Sequence, residues 1–77
     1  MDEFEWDHAT AQSNLTKHGV SFEAARLVFD DVFALDHFHF AGDPPEPRYI
    51  TTGIANGVIL TVVYIDRGGR IRIISAR

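Results

Sequence analysis

Alternating hydrophobic and polar residues in the second half of the chain predict a β-hairpin. The run "RYITTGIA" at 48–55 and the run "VILTVVYI" at 58–65 are both rich in β-branched and aromatic residues. Asn56 and Gly57 lie between them, and an Asn-Gly pair in this position is typical of a two-residue turn between antiparallel strands. We therefore expect Ala55 to lie opposite Val58, with the strands paired outward from the turn.

Two further strands extend this hairpin into a predicted sheet. The segment "VFALDHFHF" at 32–40 alternates as a strand, and "AGDPPEP" at 41–47 predicts a loop because proline is not tolerated inside a sheet. The turn "DRGG" at 66–69 leads into a last strand, "RIRIISA" at 70–76. The second half of the chain thus predicts a four-stranded antiparallel sheet.

The first 31 residues change to a helical pattern after one short strand, "EFEW". Asp7 is placed to cap a helix that ends before Gly19, and Ser21 is placed to cap a second helix of about ten residues. The tight turn between the helices predicts an αα-hairpin. The expected fold class is α+β: a short N-terminal strand, an αα-hairpin and a four-stranded antiparallel sheet with the helices on one face.

The hairpin register also predicts which side chains share a sheet face. Pairing outward from the Asn-Gly turn places Arg48 opposite Ile65, and Ile65 shares its face with Arg70 and Arg72 across the next turn. Three arginines should therefore converge at one end of one face. The central strand is apolar on both faces, but one αα-hairpin covers only one of them. The other face should be covered by a partner or exposed as a binding surface.

Composition places this sheet in a single small domain, residues 1–77, with a net charge of -4. The first 47 residues hold ten acids and two bases, and the last 30 hold five arginines and one acid. Cysteine is absent, which excludes disulfides and cysteine-based zinc sites. No apolar run reaches the roughly 20 residues of a membrane span, and the acidic start is unlike a signal peptide. We expect a cytoplasmic protein with no membrane partner.

Clustered arginines suit a phosphate ligand, since guanidinium presents paired donors and keeps its charge. The alternative is that these arginines pair with the acidic half of the chain. RNA cleavage without a metal needs an acid, a base and a cation, and Lys17, His18, His37 and His39 are candidates. His18 could instead interact only with the helix dipole. His37 and His39 share a strand face but lack a third ligand, so no metal site is expected.

Three stretches, "FEWDHATAQSNLTKHGVSFEAARLVFDD", "RYITTGIANGVILTVVYIDRG" and "RIRIISAR", resemble the BrnT family of type II toxins. The resemblance implies a RelE-like fold and RNA cleavage that inhibits translation and growth, without metal or cofactor. It also implies a BrnA-like ribbon-helix-helix antitoxin that neutralises the toxin and, with it, binds operator DNA. Toxin alone would bind RNA, and operator DNA only through the antitoxin.

The positions that the resemblance assigns to the catalytic site are Lys17, His18, Arg70, Arg72 and Arg77. The register argument adds Arg48, so that the predicted RNA-binding set is Arg48, Arg70 and Arg72. His18 is the first candidate for the general base, and Glu23 is the second.

Two other functions compete with ribonuclease activity. Family members usually continue past "ISAR" with a basic helix, and this sequence ends at Arg77. A shortened member is expected to be catalytically weak or inactive and to act as an antitoxin-binding module and co-repressor. A second alternative is a DNA-binding domain that uses the basic strand in the major groove. The acidic N-terminal half and the absence of a base-reading helix argue against it.

Overall fold

The structure, a computed structural model, describes residues 3–77, except for the side chain of Ala41. The strands are β1 (Glu3–Glu5), β2 (Leu35–Ala41), β3 (Glu46–Ala55), β4 (Val58–Arg67) and β5 (Arg70–Ala76). The α-helices are α1 (His8–His18) and α2 (Phe22–Ala25), and a 3-10 helix (Arg26–Asp30) continues directly from α2. The α+β class predicted from the sequence is confirmed.

The sheet has five strands in the order β1-β5-β4-β3-β2. Four of them form the predicted antiparallel arrangement, but the expectation of a four-stranded sheet is wrong because β1 adds a fifth strand. β1 pairs with β5 in parallel, with Glu3 opposite Arg70 and Glu5 opposite Arg72. This pairing joins the two ends of the chain, so the residues next to β1 in the sequence do not specify it.

The predicted register of the central hairpin is confirmed. β3 and β4 pair from Tyr49 opposite Tyr64 to Ala55 opposite Val58. Asn56 and Gly57 both have positive φ, 51° and 79°, as a type I′ turn requires. The next turn consists of Gly68 and Gly69 alone, so that β4 continues to Arg67.

The second helix differs from the prediction. Only four residues are α-helical, and the next five form the tighter 3-10 helix. The carboxylate of Asp31 ends this segment: it accepts hydrogen bonds from the backbone N–H of Phe33 and of Ile54, each at 2.9 Å. These bonds tie the end of the 3-10 helix to β3. Because the Phe33 N–H is used in this way, residues 32–34 do not join the sheet, and β2 begins at Leu35 rather than at residue 32 as predicted.

The hydrophobic core lies between the helices and one face of the sheet. Its buried members are Phe22, Ala25, Val28, Ala55, Leu60, Val62, Ile73 and Ala76. Gly53 of β3 allows the chain after the 3-10 helix to pack closely. A Cβ at Gly53 would lie 3.0 Å from Cβ of Ala34 and 3.1 Å from Cγ1 of Val28.

The outer edge of β5 is covered by two elements in succession. β1 pairs with the first three residues of β5, and α1 lies beside the remainder. Buried Asn14 of α1 replaces a strand there: its Nδ2 donates to the carbonyl of Ala76 at 2.8 Å, and its Oδ1 accepts from the Ala76 N–H at 3.1 Å. Nδ2 also donates to the carbonyl of Val20 at 3.0 Å, which fixes the turn after α1.

Candidate functional site

One row of side chains crosses all five strands on the sheet face that carries no helix, here named the open face. Glu5 on β1 lies opposite Arg72 on β5, and Arg72 lies opposite Ile65 on β4. Arg48 precedes Tyr49, the first β3 residue paired with β4, so alternation places it on the face of Ile65. His39 on β2 lies opposite Arg48. The predicted sharing of one face by Arg48, Arg70 and Arg72 is thus supported by the pairing.

The two arginines of β5 are paired with carboxylates. Nη1 of Arg72 lies 2.8 Å from Oε2 of Glu5, and Nε of Arg70 lies 3.2 Å from Oε2 of Glu3. Nη1 of Arg70 is also 3.8 Å from Oε1 of Glu5. The alternative that the arginines pair with the acidic half of the chain is therefore supported for Arg70 and Arg72, because β1 places two glutamates against them.

Arg48 differs from the β5 arginines because its only ion pair within residues 3–77 is a long one. Its Nη2 lies 3.4 Å from Oε1 of Glu46 on the same strand. Its Nε is buried and has no hydrogen-bond partner among the described residues. Arg48 and Arg72 are two strands apart, roughly 10 Å between backbones, so one phosphate or two neighbouring phosphates can contact both side chains. The buried Nε is not reachable by an anion, but the side chain is 35% exposed and its one hydrogen bond among the described residues uses Nη2, so Nη1 of Arg48 keeps donor capacity for an anion.

A groove of about 380 Å³ runs between α1 and β5. Its lining residues are Ala9, Thr10, Ser13, Asn14, Lys17, His18, Ile74 and Ser75. Lys17 and His18 lie at the C-terminal end of α1, which puts their positive charge near the helix carbonyls. Arg72 does not line the groove but precedes the lining residue Ile74 by two positions on β5, and its charge contributes a small part of the lowering of the pKa of Asp7 at the start of α1. The groove thus has Lys17 and His18 in its lining at one end and hydroxyl groups along its length, and Arg72 lies beyond its lining residues on β5.

Asp7 itself is occupied in capping α1. Its Oδ2 accepts from the backbone N–H and from the hydroxyl of Thr10, both at 2.9 Å. The backbone bond from Thr10 is the largest cause of a lowered pKa at Asp7, followed by the hydroxyl bond, with Arg72 and His8 adding smaller effects. Asp7 therefore stays ionised and fixes the start of the helix that forms one wall of the groove.

The geometry can be compared with known families of proteins. A family model described as "Ribonuclease toxin, BrnT, of type II toxin-antitoxin system" matches residues 6–77. The chain belongs to the BrnT family. It is a ribonuclease toxin of a type II toxin–antitoxin system, a class in which each toxin has a protein antitoxin. No curated protein matches the chain.

The BrnT match covers α1, the groove and the whole of β5, but it begins after β1. Of the predicted site residues, Arg70 and Arg72 lie together on the open face, while Lys17 and His18 line the far part of the groove. Backbone bonds to Thr61 place Arg77 at the opposite end of β5, roughly 16 Å along the strand from Arg72. Glu23 is exposed on α2 and does not line the groove.

Sequence reasoning did not assign a role to Glu5 or to the position of His39 in the row. A signal for Glu5 exists: Glu3 and Glu5 in "EFE" have the same spacing as Arg70 and Arg72 in "RIR". Two strands with matching charge periodicity can pair all their charges on one face. In the structure, the parallel pairing of β1 with β5 places Glu3 opposite Arg70 and Glu5 opposite Arg72.

The two strand histidines are both exposed on β2 and share the open face. Within residues 3–77, no group of three or more histidine, cysteine or carboxylate side chains is placed to hold a metal ion. No helix in the same range is long and apolar enough to cross a bilayer.

The expectation of an uncovered sheet face is confirmed. Ile54 and Ile59, which are paired on the open face near the hairpin turn, are 53% and 69% exposed. Leu35 on β2 extends this apolar area and is also exposed. The open face of this BrnT-family chain therefore has a charged end at the row and an apolar end near the turn.

Proposed function

We propose that this toxin cleaves single-stranded RNA by attack of a ribose 2′-hydroxyl on the adjacent phosphate, without a metal ion. The observation that carries the proposal is the nearness of two cationic surfaces along β5. Arg72 belongs to the row that contains Arg48, and it precedes the groove residue Ile74 by two positions, roughly 7 Å along the strand. An RNA strand along this path meets Lys17 and His18 in the groove and Arg72 beyond it. Guanidinium groups suit phosphate oxygens because their donors are paired and planar.

The scissile phosphate is proposed to bind at Arg72, on β5 beyond the groove residue Ile74. Arg70 and Arg48 lie on the same sheet face there, whereas only Lys17 and His18 contribute cations in the groove. Because α1 has 11 residues, the two ends are roughly 16 Å apart, too far for His18 to act on a phosphate at Arg72. Lys17 and His18 would then bind a neighbouring part of the RNA strand. We therefore expect His18→Ala to raise KM more than it lowers kcat.

Cleavage of an end-labelled single-stranded RNA by the purified chain in EDTA tests the reaction. The expected products carry 2′,3′-cyclic phosphate ends, and a matched RNA with 2′-O-methyl groups is not cleaved. Cleavage that needs an added divalent metal, or that also occurs in the 2′-O-methyl RNA, would contradict the proposed chemistry. Expression in the cytoplasm should inhibit translation and arrest growth.

The antitoxin partner is proposed to be a BrnA-like ribbon-helix-helix protein that reads operator DNA for the complex. The uncovered apolar end of the open face supports a tight protein partner, since contiguous exposed apolar area of this kind marks interaction sites. A ribbon-helix-helix protein encoded beside the toxin gene should co-purify with it and restore growth. Operator binding by the complex, but not by the toxin alone, would complete the test.

A second candidate function is a catalytically weak chain that captures the antitoxin and acts as co-repressor. The pairing of Arg70 and Arg72 with Glu3 and Glu5 favours it, because paired guanidiniums attract phosphate less strongly. The two functions differ in growth assays. Growth arrest by the chain supports the ribonuclease, and antitoxin binding without growth arrest supports the co-repressor.

A further inference from the structure

Glu5 lies beside the arginine proposed to bind the scissile phosphate, and it has one carboxylate oxygen available. We propose that Glu5 is the general base that removes the proton from the attacking 2′-hydroxyl. This inference rests on the proposed RNA cleavage and names a residue for it. Glu5 lies outside the residues matched by the family model, so the argument depends on its contacts in the structure.

The two oxygens of Glu5 have different environments. Oε2 accepts a hydrogen bond from Nη1 of Arg72 at 2.8 Å, and both side chains are about three-quarters buried. Oε1 lies 3.8 Å from Nη1 of Arg70, which is within ion-pair range but beyond hydrogen-bond range. One oxygen therefore holds the side chain in place, and the other can accept a proton from a bound hydroxyl.

Arg72 can hold a phosphate while it holds Glu5. A guanidinium has five N–H donors, and the one hydrogen bond from this side chain within residues 3–77 uses Nη1. The Nε and Nη2 donors remain for phosphate oxygens. A phosphate bound by these donors lies next to a fixed carboxylate, which is the arrangement that proton removal from a neighbouring 2′-hydroxyl needs.

The other described carboxylates near Arg72 are not both bonded to Arg72 and left with an oxygen that can accept a proton. Asp7 accepts two hydrogen bonds from Thr10 and caps α1. Glu3 is 68% exposed, compared with 23% for Glu5, and it contacts Nε of Arg70 rather than Arg72. Glu5 is thus the carboxylate that is both partly buried and bonded to the phosphate-binding arginine.

The step is balanced without any co-reactant. Glu5 takes the 2′-hydroxyl proton, and the 2′-oxygen forms a bond to phosphorus. The bond from phosphorus to the 5′-oxygen breaks, and the leaving oxygen takes a proton from water. Glu5 then returns its proton to solvent, and the products are a 2′,3′-cyclic phosphate and a 5′-hydroxyl. Arg72, with Arg48 and Arg70, stabilises the charge that develops on the phosphate oxygens.

The variant Glu5→Gln tests the role, because glutamine keeps the size of the side chain and an oxygen for Arg72 but is a much weaker base. We expect kcat to fall by about 10²–10⁴, the range for loss of a general base. Binding of uncleavable 2′-O-methyl RNA should stay the same or tighten, since one negative charge near the phosphate is lost. Glu3→Gln is the matched control on the same strand and face: it removes a charge from Arg70 but no base from the reaction, so its kcat should not fall.

Two further measurements separate catalysis from folding. Glu5→Asp keeps a carboxylate and should retain more activity than Glu5→Gln. Glu5→Ala should regain cleavage as formate is added, a rescue that a purely structural ion pair would not show. Cleavage by Glu5→Gln at the wild-type rate or faster, or an equal loss in Glu3→Gln, would overturn the assignment of Glu5 as the base. The proposed RNA cleavage would still stand if the wild-type chain cleaves RNA. A wild-type chain that cleaves no RNA would overturn both.

Discussion

Replacing Asn14 by alanine should destabilise the fold more than any change at an exposed position of α1. Asn14 makes three hydrogen bonds, two to the backbone of Ala76 and one to the carbonyl of Val20. Only 7% of the residue is exposed, so water does not readily replace these partners. The substitution leaves a backbone donor and two backbone acceptors without their partner at the edge of β5.

The size of the effect follows from these bonds. Each hydrogen bond contributes about 0.5–1.5 kcal/mol net, and an unsatisfied buried group costs about 1–3 kcal/mol. Some relaxation and water entry reduce the sum, so we expect a loss of about 2–4 kcal/mol in the free energy of unfolding. A domain of this size has a total of roughly 4–11 kcal/mol. The corresponding fall in thermal midpoint is about 10–30 °C.

Urea and thermal unfolding followed by circular dichroism measure this loss. Gln12→Ala is the matched control, because Gln12 is exposed on the same helix and alanine is a good helix former. The control should be neutral or slightly stabilising. Asn14→Asp should also be destabilised, since it keeps the acceptor for the Ala76 N–H but loses both donated bonds. An unfolding free energy for Asn14→Ala within about 0.5 kcal/mol of wild type, the range for surface changes, would refute this account of the β5 edge.

Two other predictions concern the charged groups. Arg72→Ala should lower RNA cleavage by about 10²–10³, and Arg72→Lys should also be impaired because lysine lacks paired donors; full activity in Arg72→Ala would exclude a phosphate role. Hydrogen bonds from Thr10 to Asp7, and from the backbone of Ile54 and Phe33 to Asp31, lower the pKa of both carboxyls below the ordinary 3.8. Both groups therefore stabilise the fold above that value, and the stabilisation is lost as pH falls through the lowered folded pKa values. The urea midpoint should decline below about pH 4, and an Asp7→Asn/Asp31→Asn double variant should show a shallower decline; an unchanged slope would contradict it.

Local sequence determined the turn, the helix starts and the central register. Asn56 and Gly57 accept positive φ, so the turn and its flanking alternation defined which residues of β3 and β4 are opposed. Capping residues Asp7 and Ser21 likewise marked the helix starts, because their side chains bond to backbone N–H groups three residues later. Each of these features depends on a few residues that are neighbours in the sequence, so it can be predicted from the sequence alone.

Tertiary structure alone decided which distant groups meet. The pairing of Glu5 with Arg72 and the bonds of Asn14 to Ala76 each join residues more than 60 positions apart, and no local pattern specifies them. They arise because β5 needs partners along its outer edge, where unpaired backbone groups cost free energy. The sequence left open whether the arginines bind phosphate or pair with the acidic half, and the pairing of β1 with β5 placed Glu3 and Glu5 against Arg70 and Arg72. The sequence by itself thus determined the strands and the arginine face, while packing of the chain ends determined the chemistry of that face.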